Sequence, residues 1–322
     1  MKNLFHLCVQ GDVNDIYKKI TGLSHKTEVQ VKLEKQYYNR FFKGNPDYKT
    51  SNEDSWIEDI INTYRSYFVD VLTNKVDRSV AESTLLEKLN NHLPFDLKGT
   101  NMFTTEENIK EIFKKKGFKF IGGRVAPHYG PFIWGKSNTE TYTVEIPDFN
   151  GKVQVCFLDD FLMLSWLHFA TFGELYAGGW AKKDVIYCVL SNYRDKLDTD
   201  VFQVSFLKHE AQHISDYKKF PNLIGTDLEY RAKLVELIYY SDFGFFEKLI
   251  VQAINNTNPH NHSAFIILKK FSNHFFNKEA DKDIINWKKF HYDEISQFAL
   301  KLFNEHTAKL KSLGAATVKS VI

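Results

Sequence analysis

The stretch Phe206-Leu207-Lys208-His209-Glu210-Ala211-Gln212-His213-Ile214 carries the pattern H-E-x-x-H. A four-residue step on an α-helix returns to nearly the same face, so His209 and His213 point one way. That separation suits two ligands of one tetrahedral ion, and zinc is the expected cofactor. Glu210 lies about a quarter-turn round from His209, where it flanks an ion without binding it. Zinc acidifies its bound water and polarises a carbonyl oxygen. A neighbouring carboxylate then takes the water's proton and passes it to the leaving amine, so Glu210 is the expected general base. Val204, Phe206, Leu207 and Ile214 supply the apolar stripe that a buried helix requires.

A third protein ligand is needed. A His six residues beyond His213 would serve, but that position is Lys219. The methionines Met1, Met102 and Met163 all lie upstream, which excludes the arrangement with a Met beneath the site. Gly225-Thr226-Asp227 offers Asp227 from a loop. A second helix starting at Thr226 or Asp227 offers Glu229 in its first turn and Glu236 further along. Glu229 is favoured. It would face back across a loop broken by Pro221 and Gly225, and Ala232 is small enough for close helix packing. Asp227 is better explained as a helix cap.

The pair His209-Glu210-x-x-His213 and Glu229-x-x-Ala232 resembles the gluzincin, thermolysin-like branch of zinc metallopeptidases. The resemblance covers roughly residues 175–240, the active-site half of a zincin fold. It implies His209, His213 and Glu229 as metal ligands and Glu210 as general base. The chain departs from the pattern at Lys233, where many gluzincins carry an acid that orients a ligand His. Asp216, on the helix face shared by both His residues, is the expected substitute for orienting a ligand His. Gly178-Gly179-Trp180-Ala181, running into Val185–Val189, resembles the edge strand that pairs with extended substrate, which makes Gly179 and Trp180 candidate substrate-binding residues. In Asn258-Pro259-His260-Asn261-His262-Ser263, His262 is the favoured oxyanion-stabilising residue and His260 the second choice.

Working outward, residues 1–98 read as helical, with Ile57, Ile60, Ile61, Tyr64, Tyr67 and Phe68 at helical spacing and Leu85, Leu86 and Leu89 repeating the pattern. Thr104 to Lys116 reads as a helix capped by Thr104 or Thr105. Four strand-like runs follow: Phe118–Val125, Pro131–Trp134, Glu140–Ile146 and Lys152–Leu158. A helix is expected over Phe161–Tyr176 and a strand over Asp184–Leu190. The expected fold class is α+β: a zincin-like core with a small mixed sheet over an active-site helix, flanked by N- and C-terminal helical regions. The expected segments are a helical domain at 1–98, an α/β subdomain with an edge strand at 99–199, a helical metal-site subdomain at 200–313, and a loose tail at 314–322.

The chain is long enough, at 322 residues, for two or three domains with large cores. A formal net charge of +2 gives no ground for nucleic acid as a partner, and the run Lys114-Lys115-Lys116 reads as a solvated helix face. Cys8, Cys156 and Cys188 form no paired framework, and Cys156 and Cys188 read as small buried hydrophobes. No apolar run is long enough to span a bilayer, so no membrane association is expected. The simplest location is the cytoplasm, with a secreted protein as the alternative. The expected partner is a peptide or protein substrate, and the oligomeric state is left open. Three other readings compete: a peptidase-like protein that cleaves a non-peptide amide or only binds a partner, a di-iron protein using Glu210-x-x-His213, and a helical protein without metal. The di-iron reading needs a second ExxH, which the sequence lacks.

Overall fold

Hydrophobic periodicity builds the first of two compact units, residues 1–136 with 159–177. The helix Ser55–Leu72 buries Ile57, Ile60, Ile61, Tyr64, Tyr67 and Phe68. Asp54 caps it by accepting from the Trp56 and Ile57 N–H groups at 3.1 and 3.2 Å. The helices Asn14–Thr21, Glu28–Tyr37, Arg78–Asn91 and Met102–Lys115 share the same core. The computed structural model describes residues 2–44 and 53–322, so the helical reading of 1–98 extends past the described residues at 45–52. Leu85 and Leu89 are buried as the periodicity requires, whereas Leu86 lies at the margin. Asn101 caps Met102–Lys115, one turn before the position expected from Thr104 and Thr105. Its side chain accepts from Thr104 N–H at 3.0 Å, and Thr104 answers as the other half of the capping box.

The strands are fewer and longer than their composition indicates. β1 (Lys119–Ile121), β2 (Arg124–Val125) and β3 (His128–Tyr129) are short. β4 (Phe132–Ile146) then joins two of the expected runs into one strand, and β5 (Phe149–Leu164) extends well into the segment expected to be helical. Only Ser165–Ala170 of that segment forms a helix. The cause is visible in β4. Its middle is polar and exposed on both faces, so it lacks the alternation that marks a strand in sequence. β6 (Gly179–Lys182) and β7 (Val185–Val189) complete a five-stranded sheet in the order β1-β4-β5-β7-β6. β7 runs parallel to β5, with Phe157 opposite Cys188, and β6 runs antiparallel to β7 at the sheet edge. The fold is mixed α+β.

The second unit, residues 137–158 with 178–322, therefore begins inside a strand rather than at the boundary expected near residue 99. Its core joins Val144, Val155, Phe157, Ile186 and Cys188 of the sheet to Phe206, Ala211 and Ile214. The helices Gly225–Tyr239, Pro259–Phe276 and Tyr292–Ser312 close over them. Cys188 is fully buried, while Cys156 is only partly so. Among the described residues no helix is long and apolar enough to cross a membrane.

Residues 314–322 are not a loose tail. Val318 is buried against Phe220, Leu223, Leu228 and Leu310. Ile224 N–H donates to the Lys319 carbonyl at 2.9 Å. Asp227, fully buried, accepts from Ser320 Oγ at 2.6 Å and from Val321 N–H at 3.1 Å, and its Oδ1 lies 3.0 Å from His306 Nε2. The sequence hides this docking because the segment is irregular and its partners lie far away in the chain. Removing the Asp227 carboxylate would strand the buried His306 and release Ser320 and the Val321 N–H. Asp227→Ala is expected to cost about 2–4 kcal/mol of stability. It should also expose the amides of 316–322 to rapid hydrogen exchange. Unchanged protection of those amides would show that the apolar contacts alone hold the segment.

Candidate metal centre

The HExxH segment is helical, as its spacing requires. A π-helical turn, Gln203–Lys208, runs directly into the helix His209–Lys219. The apolar stripe buries Val204, Phe206, Leu207 and Ile214, which seats the helix against the core and turns both imidazoles inward. The next helix, Gly225–Tyr239, presents Glu229 to them.

His209, His213 and Glu229 are each less than a tenth exposed. The two Nε2 atoms stand 3.1 Å apart. Glu229 Oε1 is 3.4 Å from His213 Nε2, and Glu229 Oε2 is 3.7 Å from His209 Nε2. A tetrahedral ion with bonds of about 2.0–2.1 Å keeps its ligand atoms about 3.3 Å apart. The two Glu229 distances run to different carboxylate oxygens, and one ligand atom from each residue lies within 4.8 Å of the others, so the group can hold a metal ion. Two imidazoles and a carboxylate suit several divalent ions besides zinc.

What lies behind the ligands differs from expectation. Asp216 reaches neither His. Its Oδ1 accepts from Gln212 Nε2 at 2.9 Å and from Arg231 Nε at 2.8 Å, and the fully buried Arg231 also bonds Asp148 at 2.9 Å. A fully buried cation draws the nearest carboxylates to itself, which is why Asp216 turns away from the imidazoles. The partner of His209 is Glu236, whose Oε1 lies 2.6 Å from Nδ1. Glu236 is seven residues beyond Glu229, two turns along the same face. Lys233, one turn beyond Glu229, is buried with its Nζ 3.8 Å from Glu229 Oε2. His213 Nδ1 has no hydrogen-bond partner among the described residues. Asp227, weighed as a ligand, is committed to His306 and the C-terminal residues.

The helix Pro259–Phe276 brings a His to the centre, and it is His260 rather than His262. Asn258 caps this helix, accepting from His260 N–H at 3.0 Å. His260, half-exposed, places Nδ1 2.7 Å from Glu229 Oε2. His262, two residues on, points elsewhere and stacks beside Phe265 with ring centroids 6.3 Å apart.

Glu210 is half-buried, and its Oε2 accepts from Ala181 N–H of β6 at 2.8 Å. The edge strand thus lies against the HExxH helix. Gly179 has no room for a side chain because a Cβ would collide with the Tyr187 carbonyl oxygen and the Phe206 ring. Its small size lets the β7 backbone at Tyr187 and the Phe206 ring approach closely. Trp180 stacks on Tyr187 with ring centroids 5.6 Å apart. One residue escaped the sequence reading altogether. Tyr217, four residues after His213, stacks on that imidazole at 6.2 Å and is 42% exposed, so it borders the centre on its open side. Its helical spacing from His213 was the available signal.

Burial opposes charge on His209. The charge and hydrogen bond of Glu236, helped by Glu229 and Glu210, overcome it and push the pKa from 6.5 up to about 9. Burial likewise opposes ionisation of Glu229. Hydrogen bonds from His213 and His260, with the charges of His209 and His260, hold its carboxyl well below the usual range.

No family model, curated protein or solved structure matches the chain.

A His whose folded pKa is raised stabilises the fold fully below its unfolded value and loses that contribution as pH rises through the folded one. In protein stripped of metal by a chelator, the melting temperature should therefore fall between pH 6.5 and about 9. Glu236→Gln should flatten that decline and weaken metal binding by about 10–100-fold. An unaltered decline in the variant would show that Glu236 does not hold the His209 proton.

Proposed function

We propose that the chain is a zinc-dependent metallopeptidase with a zincin-like, gluzincin-type active-site half. The observation that supports this reading is the convergence of three buried ligand atoms from His209, His213 and Glu229 beside a half-buried carboxylate, Glu210. An ion held there supplies Lewis acidity to a substrate carbonyl oxygen and acidifies a water.

The chain's own residues do the rest. Glu236 fixes the orientation of His209 through the 2.6 Å contact to Nδ1, leaving Nε2 for the ion. Glu210 is held through Oε2 by Ala181 N–H, while its Oε1 makes no hydrogen bond among the described residues. That oxygen takes the proton of the attacking water and returns it to the leaving amine. The substrate lies extended along β6, the last strand in the sheet order. Trp180 and Tyr217 stand along its course as aromatic surfaces. His260, bound to Glu229, is better placed than His262 to meet a developing oxyanion.

Metal analysis by mass spectrometry is the first test. Wild type should carry about one zinc per chain, and His213→Ala and Glu229→Ala should lose it or bind far more weakly. Glu210→Gln should keep the zinc yet lose at least about 100-fold in cleavage of a peptide library. Zinc bound with no peptide cleaved would overturn the peptidase assignment in favour of a non-peptide amide substrate or a binding role. No zinc bound would overturn the enzyme reading itself.

A further inference from the structure

Lys233 occupies a position that the site's chemistry does not obviously call for. It is 4% exposed, one turn beyond Glu229 on the same helix, and its ammonium lies 3.8 Å from Glu229 Oε2. A lysine amine is rarely taken out of water without an opposing charge, and beside a cation site it repels the intended occupant.

The charges around the centre explain its presence. Three carboxylates converge there: Glu229 among the ligands, Glu236 on His209, and Glu210 on Ala181. Among the described residues, no Lys or Arg other than Lys233 is ion-paired to any of them. Three negative charges against one positive leave a balance of minus two, counting both ligand imidazoles and His260 as neutral. That balance equals the charge of one divalent cation. Without Lys233 the same cation would leave a buried surplus of one negative charge.

We propose that Lys233 is a positioning residue that acts through Glu229. It holds Oε2 and draws charge from that carboxylate, which weakens metal binding and strengthens the Lewis acidity of whatever divalent ion the site holds. The helix makes this geometry obligatory, since residues four apart stand one above the other. The oxygen beside the lysine is also the one facing His260, while Oε1 lies on the His213 side.

The proposal rests on the metal-site reading above, and its test separates the two. Zinc affinity of the full chain is measured by competition with a chromogenic chelator for wild type, Lys233→Met and Lys233→Arg, and the melting temperature of each is followed with and without zinc. Removing a cation from beside a dication's site should tighten zinc binding by at least about tenfold in Lys233→Met. Peptide hydrolysis at saturating zinc should fall in the same variant. Lys233→Arg should stay near wild type in both. A loss of packing would instead weaken affinity and activity together, so only opposite signs support a charge effect. The melting temperature of zinc-free Lys233→Met should fall while its rise on adding zinc grows, because a bound dication replaces the positive charge that Glu229 loses with Lys233. Zinc affinity that is unchanged or weaker in a folded Lys233→Met overturns the role of Lys233 and leaves the metal site standing. Absence of zinc binding by wild type overturns both.

Discussion

A helix buried on almost every side, carrying five charged residues, is the constraint around which the second unit is arranged. Between Asp227 and Leu237 of the helix Gly225–Tyr239, every residue is buried. A charge in that environment stands only if a counter-charge or hydrogen-bond donor meets it. Four of the five find one off the helix, and Lys233 finds Glu229 on it. Asp227 takes His306 and the C-terminal residues, Arg231 takes Asp216 and Asp148, and Glu236 takes His209. Glu229 takes the two site imidazoles and His260, with Lys233 alongside. The helix is thereby tied to the HExxH helix, to the β4–β5 turn, to the last long helix and to the chain's final residues.

That set of ties holds the ligand atoms together. Glu236 and Glu229 grip His209 from its two nitrogens, at 2.6 and 3.7 Å, so the imidazole has little freedom to rotate. Pre-organisation of this kind lowers the ordering cost of binding, and the charge on the ligands makes a cation the natural occupant. The same crowding leaves the ion-facing side of the cluster bordered by half-exposed groups, Glu210, Tyr217 and His260.

The sheet contributes through one edge. β6 is held to β7 by backbone pairing and to the HExxH helix by the bond from Ala181 to Glu210. Gly179 is required because Phe206, one turn before His209, packs directly on it. The strand and the proposed base are therefore positioned by one packing contact, so a displacement of the helix would move both together.

The local pattern of the sequence determined the parts governed by short-range geometry. The spacing of His209 and His213 follows from helical pitch, and so does the proximity of Lys233 and Glu236 to the face of Glu229. The burial of Ile57, Ile60, Ile61, Tyr64 and Phe68 follows from the same period. What the tertiary structure alone decided are the pairings between segments far apart in sequence. The choice of Glu236 over Asp216 for His209, of His260 over His262 for Glu229, and of Asp227 as anchor for residues 320 and 321 all depend on which helices pack together. The long β4 strand belongs with these, because its exposed polar middle carries no periodic signal and is extended only by pairing with its neighbours. Periodicity reports which face of an element is buried. It does not report which partner buries it, and in a low-dielectric interior the identity of that partner decides what each charged side chain does.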